Sequence, residues 1–276
     1  MSPLWRDEIG VYLSPHRLCL VRMRRGVKPV MAAEHEQRFE GVRGDSWTAP
    51  VEALAALLAE PAWSGTHTRV VIADHWVRYA IVPWAETLSS ADERLAHGRQ
   101  ILASLYGEAV AGWDVRISDA PPQTTRVACA VPGELLAGVR AACQAHGNPL
   151  GSLQPQLVAA FEAWRAHLPA ARAWFVSVEP GSLAAARLTR QGWDRVHRVR
   201  IGVDWLRELK RLQTFGRLAG NSPEDGQVYV DAPHAWREVA AGSGAGVDEA
   251  GLRWLEEPSG SMTTLQRLGR ARRLAA

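Results

Sequence analysis

The sequence predicts an α/β protein of two related lobes, with a small α+β block inserted in the first. Two patterns carry this expectation. A three-strand meander followed by a helix is legible twice along the chain, and between its two occurrences runs a helix-strand-strand-helix-strand block. A third observation sets the scale: 276 residues, 47% hydrophobic and 22% charged, suffice to bury a substantial core. The expected divisions are residues 1–88 for the first lobe, 89–154 for the block, 155–256 for the second lobe and 257–276 for a basic tail.

The opening elements follow from local signals. Ile9 to Leu13 and Arg17 to Met23 are apolar runs on either side of Ser14-Pro15-His16, a hairpin pattern. Val30 to Phe39 supplies a third strand. Ala49 to Ala59 is helical, with Pro50 in its first turn. Arg69 to Ala73 is a buried strand, and Val77 to Val82 follows so closely that a second hairpin is expected.

In the block, Ser89 to Tyr106 is a helix. Ser90 is its N-cap and Glu93 stands at capping-box spacing. Trp113 to Ser118 and Arg126 to Val131 are strands, parted by Ala120-Pro121-Pro122. Gly133 to His146 is a helix that buries Leu135, Leu136 and Val139, and Leu150 to Gln154 is a short strand. The second lobe reads as a helix over Pro155 to His167, strands over Ala173 to Val178, Ser182 to Leu188 and Trp193 to Val199, a helix over Val203 to Leu218, and a strand over Gln227 to Val230. Ala240 to Gly251 is a loop and Leu252 to Glu256 a last strand.

Composition removes several function classes. No stretch reaches the roughly 18 apolar residues of a membrane span, and Met1 to Gly10 has no apolar leader core, so a cytoplasmic protein is expected. Cys19, Cys129 and Cys143 lack paired spacing, which argues against disulfides and zinc and reads them as small buried hydrophobes. His16, His35, His67, His97 and His146 are scattered, so no metal site is expected. No Gly-x-Ser-x-Gly elbow occurs. Two basic runs stand out, Arg22-Met23-Arg24-Arg25 at a hairpin tip and Arg267 through Arg273 in the tail. Each reads as a solvated face or as an attractor of anionic lipid or an acidic partner.

The segment Val70-Val71-Ile72-Ala73-Asp74-His75-Trp76-Val77-Arg78-Tyr79 with Pro83-Trp84 resembles proteins related to PilM and the cytoplasmic domain of GspL. Tyr106-Gly107, Gly112-Trp113 and Gln154-Pro155 add to the likeness. The resemblance implies the actin-like (ribonuclease H-like) two-lobe fold, with the inserted subdomain resembling that of FtsA and PilM. It also implies protein partners in a type IV pilus or type II secretion assembly, reached at the cytoplasmic face of the inner membrane. A homo-oligomer is left open.

ATP-binding members of that fold hold phosphates on two glycine-bearing hairpins, whose backbone N–H groups point at the anion. The first is matched here by Glu8-Ile9-Gly10-Val11-Tyr12-Leu13-Ser14-Pro15-His16-Arg17. Bulky Val11, Tyr12 and Leu13 stand where small residues belong, and Pro15 removes a donor. The second is matched by Ser177-Val178-Glu179-Pro180-Gly181-Ser182, where a proline precedes the glycine. The adenine-side element is matched by Val228-Tyr229-Val230-Asp231-Ala232-Pro233, without paired glycines; Gly242, Gly244 and Gly246 come later. All three departures argue against ATPase activity and against a cofactor. Were ATP with Mg²⁺ to bind, Gly10, Ser14, Arg17, Gly181 and Ser182 would hold it.

Twelve tryptophans accompany four phenylalanines. Tryptophan suits interfaces as well as cores. Trp76, Arg78 and Trp84 form the expected partner-binding surface, with Trp76 and Arg78 on the exposed side of a strand; the competing reading has the tryptophans sealing the contact with the inserted block. The expected function is therefore a non-catalytic scaffold. The alternatives are an ATP-binding actin-like switch and a nucleic-acid-binding protein, the last disfavoured because the arginines are dispersed along the chain.

Overall fold

The computed structural model describes residues 7–24, 30–40, 46–169, 172–202, 205–219, 227–233 and 252–255. The expected loop at Ala240 to Gly251 with its three glycines and the basic run Arg267 through Arg273 lie outside these. The chain divides into two compact units, Met1–Trp76 with Pro132–Ala163 and Ser259–Ala276, and Val77–Val131 with Trp164–Pro258.

In the first unit, β1 (Glu8–Leu13), β2 (Arg17–Arg24) and β3 (Val30–Arg38) form the predicted antiparallel meander. β4 (His67–Ile72) pairs with β1 in parallel, and β8 (Leu150–Pro155) pairs with β4 in parallel, giving the order β3-β2-β1-β4-β8. The central strands are buried on both faces, so they read as near-continuous apolar runs. Tyr12, Cys19, Val21, Val71 and Ala73 form one cluster, against which Ala159 of α4 (Gln156–Trp164) packs. Ile9, Val11, Leu13, Leu18, Leu20 and Ile72 alternate with these and are equally buried. Helices α1 (Thr48–Leu58) and α3 (Gly133–Ala145) pack on each other. Gly138 marks the approach: a methyl group there would sit 3.1 Å from Val51. The connection before β8 is tied down by Asn148, fully buried, whose side-chain amide donates to the carbonyls of Trp63 and Thr66 at 2.7 and 3.1 Å.

The second unit holds two sheets. β9 (Ala173–Glu179), β10 (Ser182–Thr189) and β11 (Gly192–Arg200) form a second antiparallel meander. β12 (Val228–Asp231) and β13 (Leu252–Trp254) extend it in parallel, in the order β11-β10-β9-β12-β13. That order repeats the first sheet, strand for strand. The predicted duplication is therefore present in the topology. Trp174, Val176, Val178, Leu183 and Ala185 face α5 (Trp205–Ala219), which inserts Trp205, Leu206 and Leu209. The smaller sheet has the order β5-β7-β6, with β5 (Arg78–Val82), β6 (Trp113–Ile117) and β7 (Arg126–Pro132). α2 (Ala91–Tyr106) lies on it through Leu95, Ile101 and Leu102. Its capping box is formed as predicted: Ser90 accepts from the Glu93 N–H and Glu93 accepts from the Ser90 N–H. The segment before β7 bonds to the β10–β11 turn through Thr125, whose hydroxyl donates to the carbonyls of Gln191 and Trp193.

Two sequence expectations differ from these sheets. β4 and β5 do not form a hairpin. A buried 3₁₀ turn, Asp74–Trp76, ends β4, and β5 pairs with β7 in the small sheet. The drawn limits of the inserted block also differ from the sheet pairings. β5 belongs to the small sheet, whereas α3 and β8 complete the first unit, because β4 needs a parallel neighbour just as β12 does.

Candidate functional site

The β1–β2 turn is closed on itself. The Ser14 N–H donates to the Arg17 carbonyl at 2.9 Å, and the Ser14 hydroxyl donates to the same oxygen at 2.9 Å. The Arg17 N–H in turn donates to Ser14 Oγ at 2.9 Å. Pro15 has no N–H to offer. The backbone N–H groups of Ser14 and Arg17 are thus both spent inside the turn. Gly10 lies mid-strand, paired with Val21 and Arg69. Val11, Tyr12 and Leu13 after it are core residues. The Arg17 guanidinium lies over the Tyr12 ring, 5.4 Å from its centroid. Glu8, the first residue of the matched run, is buried and ion-paired with Arg69.

The β9–β10 turn is built differently. Glu179 and Ser182 are directly paired, leaving Pro180 and Gly181 as the two central residues. Gly181 has φ 80°, which a Pro-Gly turn of type II requires of its second residue. One face of this sheet carries Ser177, Glu179, Ser182 and Asp231, by strand alternation and by the pairing of Asp231 with Ser177. All four are buried. The hydroxyls of Ser177 and Ser182 have no hydrogen-bond partner in the protein. A buried hydroxyl normally has one, so this end of the sheet is one place in the described residues where polar capacity is left over near a glycine turn, as the buried Oδ1 of Asn148 beside Gly147 is another. Sequence reasoning named Ser182 here but missed Ser177 and Asp231. Their signal was small polar residues at strand ends.

The Trp76 to Trp84 segment corrects an expectation. Trp76 is 2% exposed, so it presents no surface for docking. The reason is the 3₁₀ turn: Asp74, His75 and Trp76 are all drawn inside. Asp74 Oδ2 accepts from the Leu157 N–H at 3.0 Å and so satisfies an orphan donor in the first turn of α4. His75 meets His16 edge to face at 5.7 Å. These are structural roles. Arg78 is half-buried, donates to the Val77 carbonyl and lies 6.0 Å over the Trp113 ring. Trp113 meets Tyr106 at 5.7 Å, and the Tyr106 hydroxyl donates to the Tyr79 carbonyl. Trp84 is 37% exposed, as are Tyr106 at 39% and Leu105 at 61%. An arginine-aromatic group therefore does reach the surface of the second unit, but without Trp76.

Among the described residues no group of three or more His, Cys, Asp or Glu side chains could hold a metal ion, and no helix is long and apolar enough to cross a membrane. The three cysteines form no disulfide; Cys19 and Cys143 are buried as expected whereas Cys129 is half-buried, and burial pushes the Cys19 thiol up to about 12 and the Cys143 thiol to about 11.

Three solved structures are similar to this chain over most of its length. One is from the PilM-PilN type IV pilus biogenesis complex, with 16% identity, a TM-score of 0.68 and coverage of 98% of both chains. Another is the cytoplasmic domain of EpsL, an inner-membrane component of the type II secretion system of Vibrio cholerae, with 13% identity, a TM-score of 0.58 and coverage of 98% and 94%. A third, from Bacteroides thetaiotaomicron, is described as a protein with actin-like ATPase fold and unknown function, at 9% identity, a TM-score of 0.60 and coverage of 92% and 94%. No protein-family model and no curated protein sequence matches. The chain has the actin-like ATPase fold.

Proposed function

We propose that this actin-like chain is a non-catalytic scaffold of a type IV pilus or type II secretion-like assembly, acting at the cytoplasmic face of the inner membrane through protein partners. The observation that carries the reading is the self-closed β1–β2 turn, in which Ser14 and Arg17 consume the donors that a phosphate would require. The full-length likeness to PilM, solved as part of a complex with PilN, supports the choice of assembly. A PilN-like protein is accordingly the class of partner expected. The docking residues we assign are Trp84 and Arg78, with the Trp113 ring under Arg78 and Tyr106 against Trp113. Arginine and aromatic side chains are where interface energy concentrates.

Two measurements test this. Isothermal titration with Mg-ATP is expected to give no heat of binding; micromolar affinity would overturn the non-catalytic half of the proposal. Co-purification with a PilN-like protein from the same genome is expected, and Arg78→Ala with Trp84→Ala should abolish it at an unchanged melting temperature. Undiminished capture by that variant would remove these residues from the interface.

A nucleotide-binding switch is the second reading, and one observation favours it. Ser177 and Ser182 keep unpartnered hydroxyls beside the Gly181 turn. If the titration shows binding and Ser182→Ala removes it, this reading replaces the first.

A further inference from the structure

The small sheet of the second unit ends on β6, and the sequence of that edge strand is complementary to itself. In the order β5-β7-β6, β6 pairs on one side only. It reads Trp113-Asp114-Val115-Arg116-Ile117. Val115 is buried with Leu102 of α2, and Trp113 and Ile117 pack against the same cluster. Asp114 and Arg116 therefore lie on the opposite face. They pair with each other along the strand at 3.0 Å, and the Arg116 side chain stays 75% exposed. Backbone direction follows from the end of the strand, where the Ser118 N–H donates to the Val127 carbonyl of β7 at 2.9 Å. Successive residues of a strand turn their N–H and C=O groups to alternate sides. Those of Trp113, Val115 and Ile117 thus point away from β7, to the open edge.

We infer that β6 pairs antiparallel with β6 of a second copy of this chain, about a twofold axis at Val115. Backbone parity and charge select this register together. Only residues whose backbone groups point to the edge can face each other as hydrogen-bonded pairs. Setting Trp113 against Val115 places Asp114 on Asp114, and setting Val115 against Ile117 places Arg116 on Arg116. Like charges directly opposite are destabilising. Setting Val115 on Val115 instead opposes Asp114 with Arg116 twice, and Trp113 with Ile117 twice, over the whole strand. The charge pairs then fall at the non-hydrogen-bonded positions, where Cα atoms approach to about 4.5 Å and side chains are closest. Two other edges lack this match. β11 lies against β5, and full overlap of β3 with a second β3 would set Glu34 on Glu34.

The helix above the sheet leaves room for the second copy. A twofold axis normal to the strands joins the two small sheets into one and keeps both α2 helices on the same face. α2 touches β5 and β6, which flank β7, so it is centred on β7. The two β7 strands are then three strand spacings apart, about 14 Å. Two helices roughly 10 Å wide fit side by side over that distance. The inference goes beyond the scaffold reading and holds whatever partner Trp84 and Arg78 engage.

The test measures the mass of the full chain by sedimentation equilibrium over roughly 1–200 μM, the range in which a small interface associates. A monomer–dimer equilibrium is expected. Arg116→Asp and Asp114→Arg each turn both charge pairs repulsive, and each should raise the dimer dissociation constant about 30-fold. The double variant, Asp114→Arg with Arg116→Asp, restores opposite charges and should recover the original constant. An equimolar mixture of the two single variants should form a heterodimer, although neither single variant dimerises with itself. Far-ultraviolet circular dichroism checks that each variant folds. A further readout needs no variant: amide exchange at Trp113, Val115 and Ile117 should slow as the concentration of the unaltered chain rises. A monomer throughout, a dimer indifferent to the single variants, or a double variant as weak as the singles would each overturn the proposal. A monomer whose β6 amides slow only when a PilN-like protein is added would also overturn it and assign the edge to that partner.

Discussion

The β1–β2 and β9–β10 hairpins occupy the same place in two sheets of identical strand order, and they are finished in opposite ways. The first ends in Ser14-Pro15-His16-Arg17, where one serine side chain both donates to and accepts from Arg17. The second ends in Pro180-Gly181, and its serines face a buried sheet surface with nothing in the protein to bond. A duplicated fold fixes where strands begin and stop, but it does not fix what the turn between them can bind. That capacity is set by a few donors and acceptors, which can be spent internally at no cost to the sheet. The comparison can be broken or sharpened by substitutions whose expected effects run from several kcal/mol down to zero.

The largest effect belongs to the cover of the second sheet. Trp205 is fully buried and meets Trp254 edge to face at 5.8 Å. Trp205→Ala is expected to destabilise by about 3–5 kcal/mol. The first unit has its own core, so urea denaturation should then separate into two transitions, the lower one from the second unit. A single cooperative transition at the lower midpoint would mean that the two units unfold together. Next comes Asp74, whose carboxylate holds the Leu157 N–H inside the first unit. Asp74→Ala leaves that buried donor unpaired and should cost about 1–3 kcal/mol. Asp74→Asn keeps an acceptor and is expected to recover most of the loss.

Ser14→Ala is smaller. It removes two hydrogen bonds from a partly buried turn, and a net cost of about 1 kcal/mol is expected from the denaturation midpoint. It also tests the functional argument directly. If closure of the turn is what excludes phosphate, the variant has a freed Arg17 N–H, and weak heat in an Mg-ATP titration would show that a single side chain stands between this hairpin and anion binding. No heat would place the obstacle in bulky Val11, Tyr12 and Leu13 or in Pro15.

These elements also mark how far the sequence alone could be read. Apolar runs and turn residues located the strands of both meanders, because a strand buried on two faces leaves little ambiguity of period. The Ser90 capping box was legible because it is a contact between neighbours in the chain. The β4–β5 hairpin was misread for the converse reason. Three residues between two apolar runs look like a turn, and nothing local reveals that Asp74 is held by Leu157, 83 positions away. Trp76 was misplaced with it: strand alternation put it outside, whereas the buried 3₁₀ turn put it inside. At the candidate site, the replacements at Pro15 and Val11 to Leu13 could be read directly. The hydroxyl of Ser177 could not, since its significance lies in having no partner, which is a property of the surroundings.

The smallest expected effect is the most discriminating. Ser182 is 1% exposed and its hydroxyl bonds to nothing in the protein. A buried unpaired hydroxyl carries a desolvation penalty with no return. Removing it should therefore cost nothing, and Ser182→Ala is expected to leave the denaturation midpoint unchanged or raise it by up to about 1 kcal/mol equivalent. Its counterpart in the first unit, Ser14, should lose stability under the same substitution, so the pair forms an internal control of opposite sign. A marked destabilisation by Ser182→Ala would mean that a tightly held water satisfies the hydroxyl and that this face is a finished polar network. The two hairpins would then be alike in being closed, one by a side chain and the other by solvent. A gain in stability would instead mark Ser182 as a residue kept at a cost to the fold. Such a residue points to a ligand, and the second hairpin would become the place to look for it.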